Sequence, residues 1–431
     1  MFSHSRSYTT EHRQAPQLAA GFSLIEIMVG MVIGMLGLVI MMQVFTLSEG
    51  QKRSTTGGGD AQSGGAIALF GLQRDLRQAG FGITDVKLAG CNLTLPGGLV
   101  IANLGPVTIN HPAITSPNDD GSKNDRNTDT LMIVYGNSNG TPQGDGILNQ
   151  TVQTSYVVKT PTGYNAGDYL IAVSNASAAT LPPPIPCPAL TLDRLQGAPV
   201  VIPPSTNGVL TVQPGVPLAY GASNGTLFNL GQNPKIITYA IRGGNLMVCQ
   251  YISASNTVVD CRDTNNWTVA ASNIVSLKAQ YGRDVMLGLT PLTTTMDGIV
   301  DRYDNWNLTA AENPARAFPP ANVLNACARI KISAVRIALV ARNANYEKTD
   351  LATDISVTMT APVWEGSTAY AAPNPPTAAD RVSWAANPID LSANSGLTAP
   401  ATWRNYRYKV LQTVVPLRNL TLAWQGVATG C

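Results

Sequence analysis

Ala20-Gly21-Phe22-Ser23-Leu24-Ile25-Glu26 opens an apolar run that continues to Leu47 in this chain of 431 residues. From Ile27 to Val44 the run consists of Ile, Met, Val, Leu and Gly with a single Gln. A helix rises about 1.5 Å per residue, so the run is long enough to cross roughly 30 Å of hydrocarbon. Residues 22–47 are therefore predicted to form a membrane-spanning helix.

Glu26 is an acidic residue at the beginning of this apolar segment. A lone carboxylate in lipid costs several kcal/mol, so it is expected to be retained only where a cation meets it. Cleavage between Gly21 and Phe22 would create such a cation, because Phe22 would gain a free α-amino group. Glu26 of one helix would then neutralise the amino terminus of a neighbouring copy, which predicts an assembly role for Glu26.

The sequence from Gly21 to Glu26, followed by an apolar helix, resembles the class III signal of type IV prepilins and type II secretion pseudopilins. The resemblance implies that prepilin peptidase, a membrane aspartyl protease, cuts after Gly21 and methylates the amine of Phe22. It also implies that Glu26 aids docking into a growing filament. The alternatives are a plain signal anchor with an incidental Glu26 and, less compatible with so long an apolar core, a cleaved secretory signal.

Residues 1–21 form the expected leader peptide, in which Arg6 and Arg13 outweigh Glu11. Positive residues before a first membrane helix favour the inside, so the rest of the chain is predicted to enter the periplasm as a single-pass inner-membrane protein. The net charge of the whole chain is +2. That balance gives no basis for nucleic acid as a partner.

The helix is expected to extend over residues 22–80, with Gly80 as a stop. Gly30 and Gly34 form a Gly-x-x-x-Gly pair, which suits close helix packing in lipid, although glycine is also simply tolerated in membrane helices. Residues 54–65 are rich in Gly and Thr, and an interruption is expected there. Beyond it, apolar positions are predicted to face inward and charged positions outward. The apolar positions are Ile67, Phe70, Leu72 and Leu76, and the charged positions are Arg74, Asp75 and Arg77.

Residues 81–431 change in composition to Gly, Pro, Asn, Thr and Val, which favours strands and loops. Strands are predicted at Thr130–Tyr135, at Tyr169–Val173 and in a hairpin that joins Ile236–Ile241 to Leu246–Tyr251 through Gly243 and Gly244. Alternating residues around Arg336 and Arg407 predict strands with one buried and one wet face. The fold class is therefore α+β: a pilin-like N-terminal membrane helix followed by a large antiparallel β-rich body.

Several short segments of this body, behind the prepilin-like signal, look like the PilW type of minor pilin. They are Thr128–Leu131, Gly167–Leu170, Leu277–Gly282, Asp297–Tyr303, Val335–Leu339 and Val414–Asn419. PilW-type proteins are similar to the J-type pseudopilin of type II secretion, which is the competing assignment.

Six cysteines, all beyond the apolar run, are compatible with up to three disulfides in an oxidising compartment. Cys249 and Cys261 flank an extension of the predicted hairpin and form the first predicted pair. The further pairs proposed are Cys91 with Cys187 and Cys327 with Cys431.

Side chains suited to catalysis or metal binding are scarce. After cleavage the only histidine is His111, which precedes Pro112 and is expected in a surface loop. Acidic residues cluster at Asp119 with Asp120 and at Asp297, Asp301 and Asp304, but without the spacing of an EF-hand, and solvated loop acids are the commoner case. No enzyme activity, cofactor or metal is predicted, although Ca²⁺ at the second cluster is left open.

The resemblance implies a minor pilin that helps prime type IV pilus assembly near the tip. The expected partners are prepilin peptidase, the inner-membrane assembly platform, the major pilin, other minor pilins and a tip adhesin. The alternative is a J-like minor pseudopilin of a type II secretion system. A surface adhesion or DNA-binding module is the third hypothesis, and DNA binding is the weakest of these because the charge is nearly neutral and no basic, aromatic-rich patch is visible.

Overall fold

The computed structural model divides the chain into two compact units, residues 1–56 and 57–431. The residues that the structure describes are 21–85, 88–111, 127–150, 152, 154–174, 190–201, 207–213, 225–283, 300, 302–304, 332–347, 357–368, 386–392 and 402–420.

One helix, α1, extends from Leu24 to Gln78. It ends where Gly80 takes a positive φ of 87° and donates its backbone N–H to the carbonyl of Val134 at 2.9 Å, in agreement with the predicted stop. The prediction of an interruption at residues 54–65 was wrong, because the helix is continuous there. Glycine costs about 1 kcal/mol in a helix interior, but tertiary packing of a buried face outweighs this propensity.

Nineteen strands follow the helix among the described residues, and they form four sheets. The strands are β1 Leu93–Thr94, β2 Val100–Ile101, β3 Val107–Ile109, β4 Leu131–Tyr135, β5 Asp145–Asn149, β6 Ser155–Val158, β7 Tyr169–Ser174, β8 Leu190–Thr191, β9 Asp193–Leu195, β10 Val200–Val201, β11 Gly208–Gln213, β12 Gly225–Gly231, β13 Lys235–Arg242, β14 Asn245–Gln250, β15 Thr268–Ala271, β16 Ile274–Arg283, β17 Arg302–Asp304, β18 Ile332–Arg342 and β19 Tyr408–Pro416. The predicted strands at Thr130–Tyr135 and Tyr169–Val173 are confirmed as β4 and β7. An N-terminal apolar helix and a large β-rich body are thus both present.

The five-stranded sheet has the order β15-β14-β13-β4-β3. Its centre is the predicted hairpin, in which β13 and β14 pair antiparallel around Gly243 and Gly244. These glycines have φ values of 58° and 73°, and two consecutive positive φ angles define the tight turn whose twist matches a hairpin.

The largest core lies between this sheet, the four-stranded sheet β17-β16-β18-β19 and the C-terminal part of α1. Its helix members are the buried residues Ala61, Ala68, Leu72 and Leu76. They meet Ile133 and Tyr239 of the first sheet and Leu277, Ile337 and Leu339 of the second within the same cluster. Residues 57–78 of α1 are therefore part of the folded body.

β18 departs from the expected pattern of one buried and one wet face. Val335, Ile337 and Leu339 do lie in the largest core, but Ala338 and Val340 on the opposite face are fully buried as well. A second apolar cluster covers that face; it includes Trp364, Ile389, Leu391 and Trp403. The prediction for β18 was wrong because it did not include a further layer of chain over the sheet. The prediction of a wet face is confirmed near the beginning of β19, where Arg407 and Lys409 are exposed.

Six strands close into a small barrel, in the order β11-β6-β5-β12-β7-β9 and back to β11. The closing contact pairs Val212 and Gln213 of β11 with Leu195 and Arg194 of β9. Its interior is a separate core that contains Ile147, Tyr156, Leu170, Leu210 and Leu227. Closure removes the sheet edges and so limits unwanted strand pairing.

Candidate functional site

The N-terminal part of α1 presents an apolar surface that is uncovered in the first compact unit. Its large apolar side chains are exposed from Phe22 to Leu47, and by length and composition this helix is long enough to cross a membrane. Such a surface is unstable in water, so it requires lipid or other helices around it. The structure thus contains one N-terminal apolar helix that is a candidate membrane anchor.

The residues that the sequence predicts for processing, assembly and helix packing lie just before α1 or in its N-terminal part. Gly21 and Phe22 precede the helix, and Glu26 lies in its first turn with its backbone N–H donating to the carbonyl of Ser23 at 3.0 Å. A Cβ atom added at Gly30 or Gly34 would meet nothing within 4 Å. The surface at these glycines is therefore open to the close approach of another helix.

A different set of small residues explains how residues 57–78 fit against the body. A Cβ on Gly65 would lie 2.5 Å from Cδ1 of Leu411 and 3.1 Å from Cβ of Ala341, and the side-chain amide of Asn343 lies directly over Gly57. With Ala61 these glycines recur every four residues, which places them on one helix face. That spacing is the sequence signal for close packing, and it explains why the predicted break does not occur.

Asp75 anchors the last turn of the helix inside the body. Its side chain is only 2% exposed, and its carboxylate accepts hydrogen bonds from the hydroxyls of Tyr239 at 2.6 Å and Tyr135 at 3.2 Å. Arg74 adds an ion pair at 3.3 Å. The expectation that Asp75 faces outward was therefore wrong, because its position coincides with the buried stripe of Leu72 and Leu76.

The charge of Asp75 also raises the pKa values of its two hydrogen-bond donors, Tyr239 and Tyr135. Burial raises the pKa of the Tyr239 hydroxyl well above its usual value, and the charge of Asp75 and its hydrogen bond raise it further. The same causes raise the pKa of Tyr135. Both phenols therefore remain protonated donors at neutral pH, which keeps the buried carboxylate hydrogen-bonded.

Ile67 and Phe70 lie on the opposite side of α1 from this buried stripe. They are 73% and 67% exposed, so the prediction that they belong to the buried face was wrong. Large apolar side chains exposed on a folded body are candidates for contact with another protein. Both residues belong to the second compact unit, so this exposed apolar surface is part of the folded body.

The cysteines provide a test of the predicted disulfides. The Cys249–Cys261 bond is present and buried, and the indole N–H of Trp267 donates to the carbonyl of Cys261 at 2.8 Å. Cys91 is disulfide-bonded as well. Its predicted partner Cys187 and the predicted pair Cys327–Cys431 lie outside the described residues, so their pairings stay predictions.

His111 is fully buried, contrary to the expected surface position, and its Nε2 atom lies 2.6 Å from the carbonyl oxygen of Ala102. The acidic pair Asp119 and Asp120, together with Asp297 and Asp301, lies outside the described residues, as does the side chain of Asp304. Over the part of the chain that is described, no group of three or more His, Cys, Asp or Glu side chains is placed to hold a metal.

Comparison with known protein families gives a match to part of the chain. Residues 238–419, less than half of the chain, match the family model of PilW, the type IV pilus-assembly protein W. The matched segment begins within β13 and ends just after β19, so it includes most of the disulfide-bonded hairpin and both central strands of the four-stranded sheet. No curated protein and no solved structure matches the chain. The match supports assignment of the chain as a PilW-type type IV pilus protein with a role related to these pili.

Proposed function

We propose that this protein is a minor pilin, a non-enzymatic subunit that helps to prime type IV pilus assembly. The observation that carries the proposal is the presence in one chain of a PilW-type segment and an exposed apolar N-terminal helix. A pilin-like architecture for the whole chain is part of the same proposal.

Processing is the first step of the proposed mechanism. Prepilin peptidase would cut between Gly21 and Phe22 and methylate the new amine, which leaves Phe22 as the first residue of the mature chain. Gly21 and Phe22 are both exposed and precede the first turn of α1. A protease can therefore reach this bond without unwinding the helix.

Docking through Glu26 is the second step. The carboxylate is close to the amino end of an apolar helix, where lipid or neighbouring helices would exclude water. An unpaired charge in that environment costs several kcal/mol, so pairing with the α-amino group of a neighbouring copy or of the major pilin would be strongly favoured. Gly30 and Gly34 would let the two helices come close enough to pair.

The folded body would supply lateral contacts. Ile67 and Phe70 are exposed on the part of α1 that belongs to the body, and burial of such side chains in an interface stabilises it by about 1.5–3 kcal/mol each. We propose that they contact other minor pilins or the major pilin. A large adhesin-like subunit at the tip is the remaining proposed partner.

The proposed cellular location of the protein follows from the membrane anchor and from the charge of the leader peptide. Arg6 and Arg13 precede the apolar helix, which favours an orientation with the leader in the cytoplasm and the body in the periplasm. The mature protein would reside in the inner membrane until the assembly platform transfers it to the pilus, near the tip at the cell surface.

The test is mass spectrometry of filaments sheared from the cell surface, combined with deletion of the gene. We expect a peptide that begins at N-methylated Phe22, at low abundance relative to the major pilin, and loss of pili in the deletion strain. A mature protein that is absent from filaments, and whose deletion stops enzyme secretion while pili remain, would replace the proposal with a J-like pseudopilin. Complementation with the wild-type gene controls for effects on neighbouring genes.

A further inference from the structure

A buried lysine, an asparagine and an aspartate converge behind the four-stranded sheet. Lys278 lies in the middle of β16, Asp129 lies just before β4, and Asn387 lies in the segment 386–392 that covers the sheet. The three residues are 5%, 5% and 6% exposed. They are far apart in sequence, so only the tertiary fold brings them together.

The side-chain amide of Asn387 is held between the other two groups. The amine of Lys278 donates to Oδ1 of Asn387 at 2.9 Å, and Nδ2 of Asn387 donates to Oδ2 of Asp129 at 2.7 Å. The backbone N–H of Ala279 donates to the same Asp129 oxygen at 2.9 Å. The amine and the carboxyl group thus both lie within hydrogen-bond reach of the one amide, so the three groups that an amide exchange needs are brought together.

Further contacts fix the position of Asn387. Its backbone carbonyl accepts from the indole N–H of Trp364 at 2.7 Å, and its backbone N–H donates to the carbonyl of Gly366 at 3.1 Å. The other oxygen of Asp129, Oδ1, accepts from the side-chain amide of Asn110 at 2.9 Å. The reacting groups are therefore held in place on both sides, in a site from which the surrounding chain excludes bulk water.

From this geometry we propose that Lys278 and Asn387 form an intramolecular isopeptide bond, with Asp129 as the proton relay. The uncharged amine of Lys278 attacks Cγ of Asn387 and the Nζ–Cγ bond forms. Asp129, which has taken one proton from the Lys278 ammonium, donates that proton to Nδ2 and then accepts the second proton, which Nζ releases as the bond forms. The Cγ–Nδ2 bond then breaks and ammonia leaves, so one amide replaces another without an oxidant or reductant.

The environment favours the nucleophilic form of the lysine. Burial lowers the pKa of the Lys278 amine, and the nearby charges of Asp129 and Asp390 oppose that shift. Transfer of one proton from the ammonium to the Asp129 carboxylate would produce an amine that can attack and a carboxylic acid that can donate. Desolvation is a known means of activating lysine as a nucleophile.

The bond would join the middle of β16 to the layer that covers its outer face. Ile389 and Leu391, close to Asn387 in sequence, contribute to the apolar cluster on that face. A covalent link at Asn387 would prevent this layer from separating from the sheet under tension, heat or proteolysis. The inference does not depend on the proposed role in pilus assembly.

The experiment is peptide mapping of the full-length mature protein, extracted in detergent, reduced, alkylated and digested with trypsin. Arginines at 262, 283, 381 and 404 define the fragments. If the bond is present, the peptide of residues 263–283 is recovered joined to the peptide of residues 382–404. Trypsin does not cut after the modified Lys278, and the mass of the joined species equals the sum of the two peptide masses less the mass of one ammonia. Recovery of residues 263–278 and 382–404 as separate unmodified peptides, with no joined species, would overturn the proposal.

Variants assign the roles of the residues. Lys278→Arg retains the charge but removes the nucleophile, and Asp129→Asn retains the shape but removes the proton relay. Each is expected to lose the joined peptide, while Lys409→Arg on exposed β19 is the matched control and retains it. Folding of each variant is checked by circular dichroism and by the intact Cys249–Cys261 bond. A folded Asp129→Asn protein that contains the joined peptide at the wild-type level would exclude Asp129 as the relay.

Discussion

The hydroxyl of Tyr239 lies 2.6 Å from Oδ2 of Asp75 and donates a hydrogen bond that joins β13 to the last turn of α1. Because Asp75 is almost completely buried, its charge depends on such donors for stabilisation. This contact explains why the end of α1 is attached to the body through a polar group as well as through Leu72 and Leu76.

Replacement of Tyr239 by phenylalanine should destabilise the body. The variant loses the donor while the buried carboxylate remains, which typically costs about 1–3 kcal/mol. Urea unfolding of the detergent-extracted protein, followed by circular dichroism, measures the effect. Tyr346→Phe, on an exposed ring, is the matched control and should unfold like the wild type. Equal midpoints for Tyr239→Phe and wild type would contradict the argument.

Substitutions at two glycines of α1 should change the free energy of unfolding in opposite directions. Gly65→Val places side-chain atoms against Ala341 and Leu411, and overpacking of this kind costs about 1–3 kcal/mol. Gly59→Ala adds a methyl group that meets nothing within 4 Å on an exposed helix face, and should stabilise the protein by up to about 1 kcal/mol. The same unfolding assay compares the two variants with the wild type. Destabilisation by both changes would show that residues 57–65 do not pack against the body with Gly65 buried and Gly59 exposed.

Phe70→Glu should impair incorporation into filaments without affecting the fold. The ring is mostly exposed, so its replacement should change the free energy of unfolding by less than about 0.5 kcal/mol. If the ring contacts a neighbouring subunit, a charge there should lower the filament-bound fraction severalfold, measured by quantitative mass spectrometry against the membrane pool. Gln62→Glu, exposed on a different side of the same helix, is the control. Normal incorporation of Phe70→Glu would remove this ring from the proposed interface.

Gly21→Ala and Glu26→Ala should separate processing from assembly. The first change adds a side chain at the proposed cleavage site and should leave the leader attached. The second should permit cleavage but leave the new amino terminus without its counter-charge, and filament incorporation should fall. Immunoblots of leader removal and of sheared filaments measure the two steps, with Glu49→Ala as a control for loss of an acid from α1. Normal assembly of Glu26→Ala would contradict the charge-pairing mechanism.

Tyr251 should make stability depend on alkaline pH. Burial raises its pKa from 10.0 to about 12, with a further contribution from Asp260 and an opposing one from Arg262. The unfolded chain releases this proton near pH 10 while the native protein holds it, so the stabilising contribution is complete below pH 10. It is lost as the pH rises to about 12, at up to about 1.4 kcal/mol per pH unit.

The measurement is urea unfolding of wild type and Tyr251→Phe across this pH range. The difference in free energy between the two proteins should shift with pH by that amount, since all other titrating groups are shared. A constant difference from pH 9 to pH 12 would show that the Tyr251 hydroxyl does not titrate in the manner described.

Sequence reasoning succeeded where neighbours in the chain determine the structure. The β13–β14 hairpin follows from two glycines that accept positive φ angles, and Cys249 pairs with Cys261 only twelve residues away. It failed where distant contacts decide the outcome. His111 is buried although it precedes a proline, and Ile67 is exposed although it is apolar, because burial depends on which surfaces meet in the folded body.

The amino-acid sequence by itself determined the apolar N-terminal helix, the β-rich composition of the body and the PilW-like character that the family match supports. These properties are local, since they depend on residue type and short-range spacing. Only the tertiary structure decided that Asp75 turns inward, that six short strands close into a barrel, and that Lys278, Asn387 and Asp129 share one buried site. Each of these depends on contacts between residues tens to hundreds of positions apart, and no local pattern encodes such contacts.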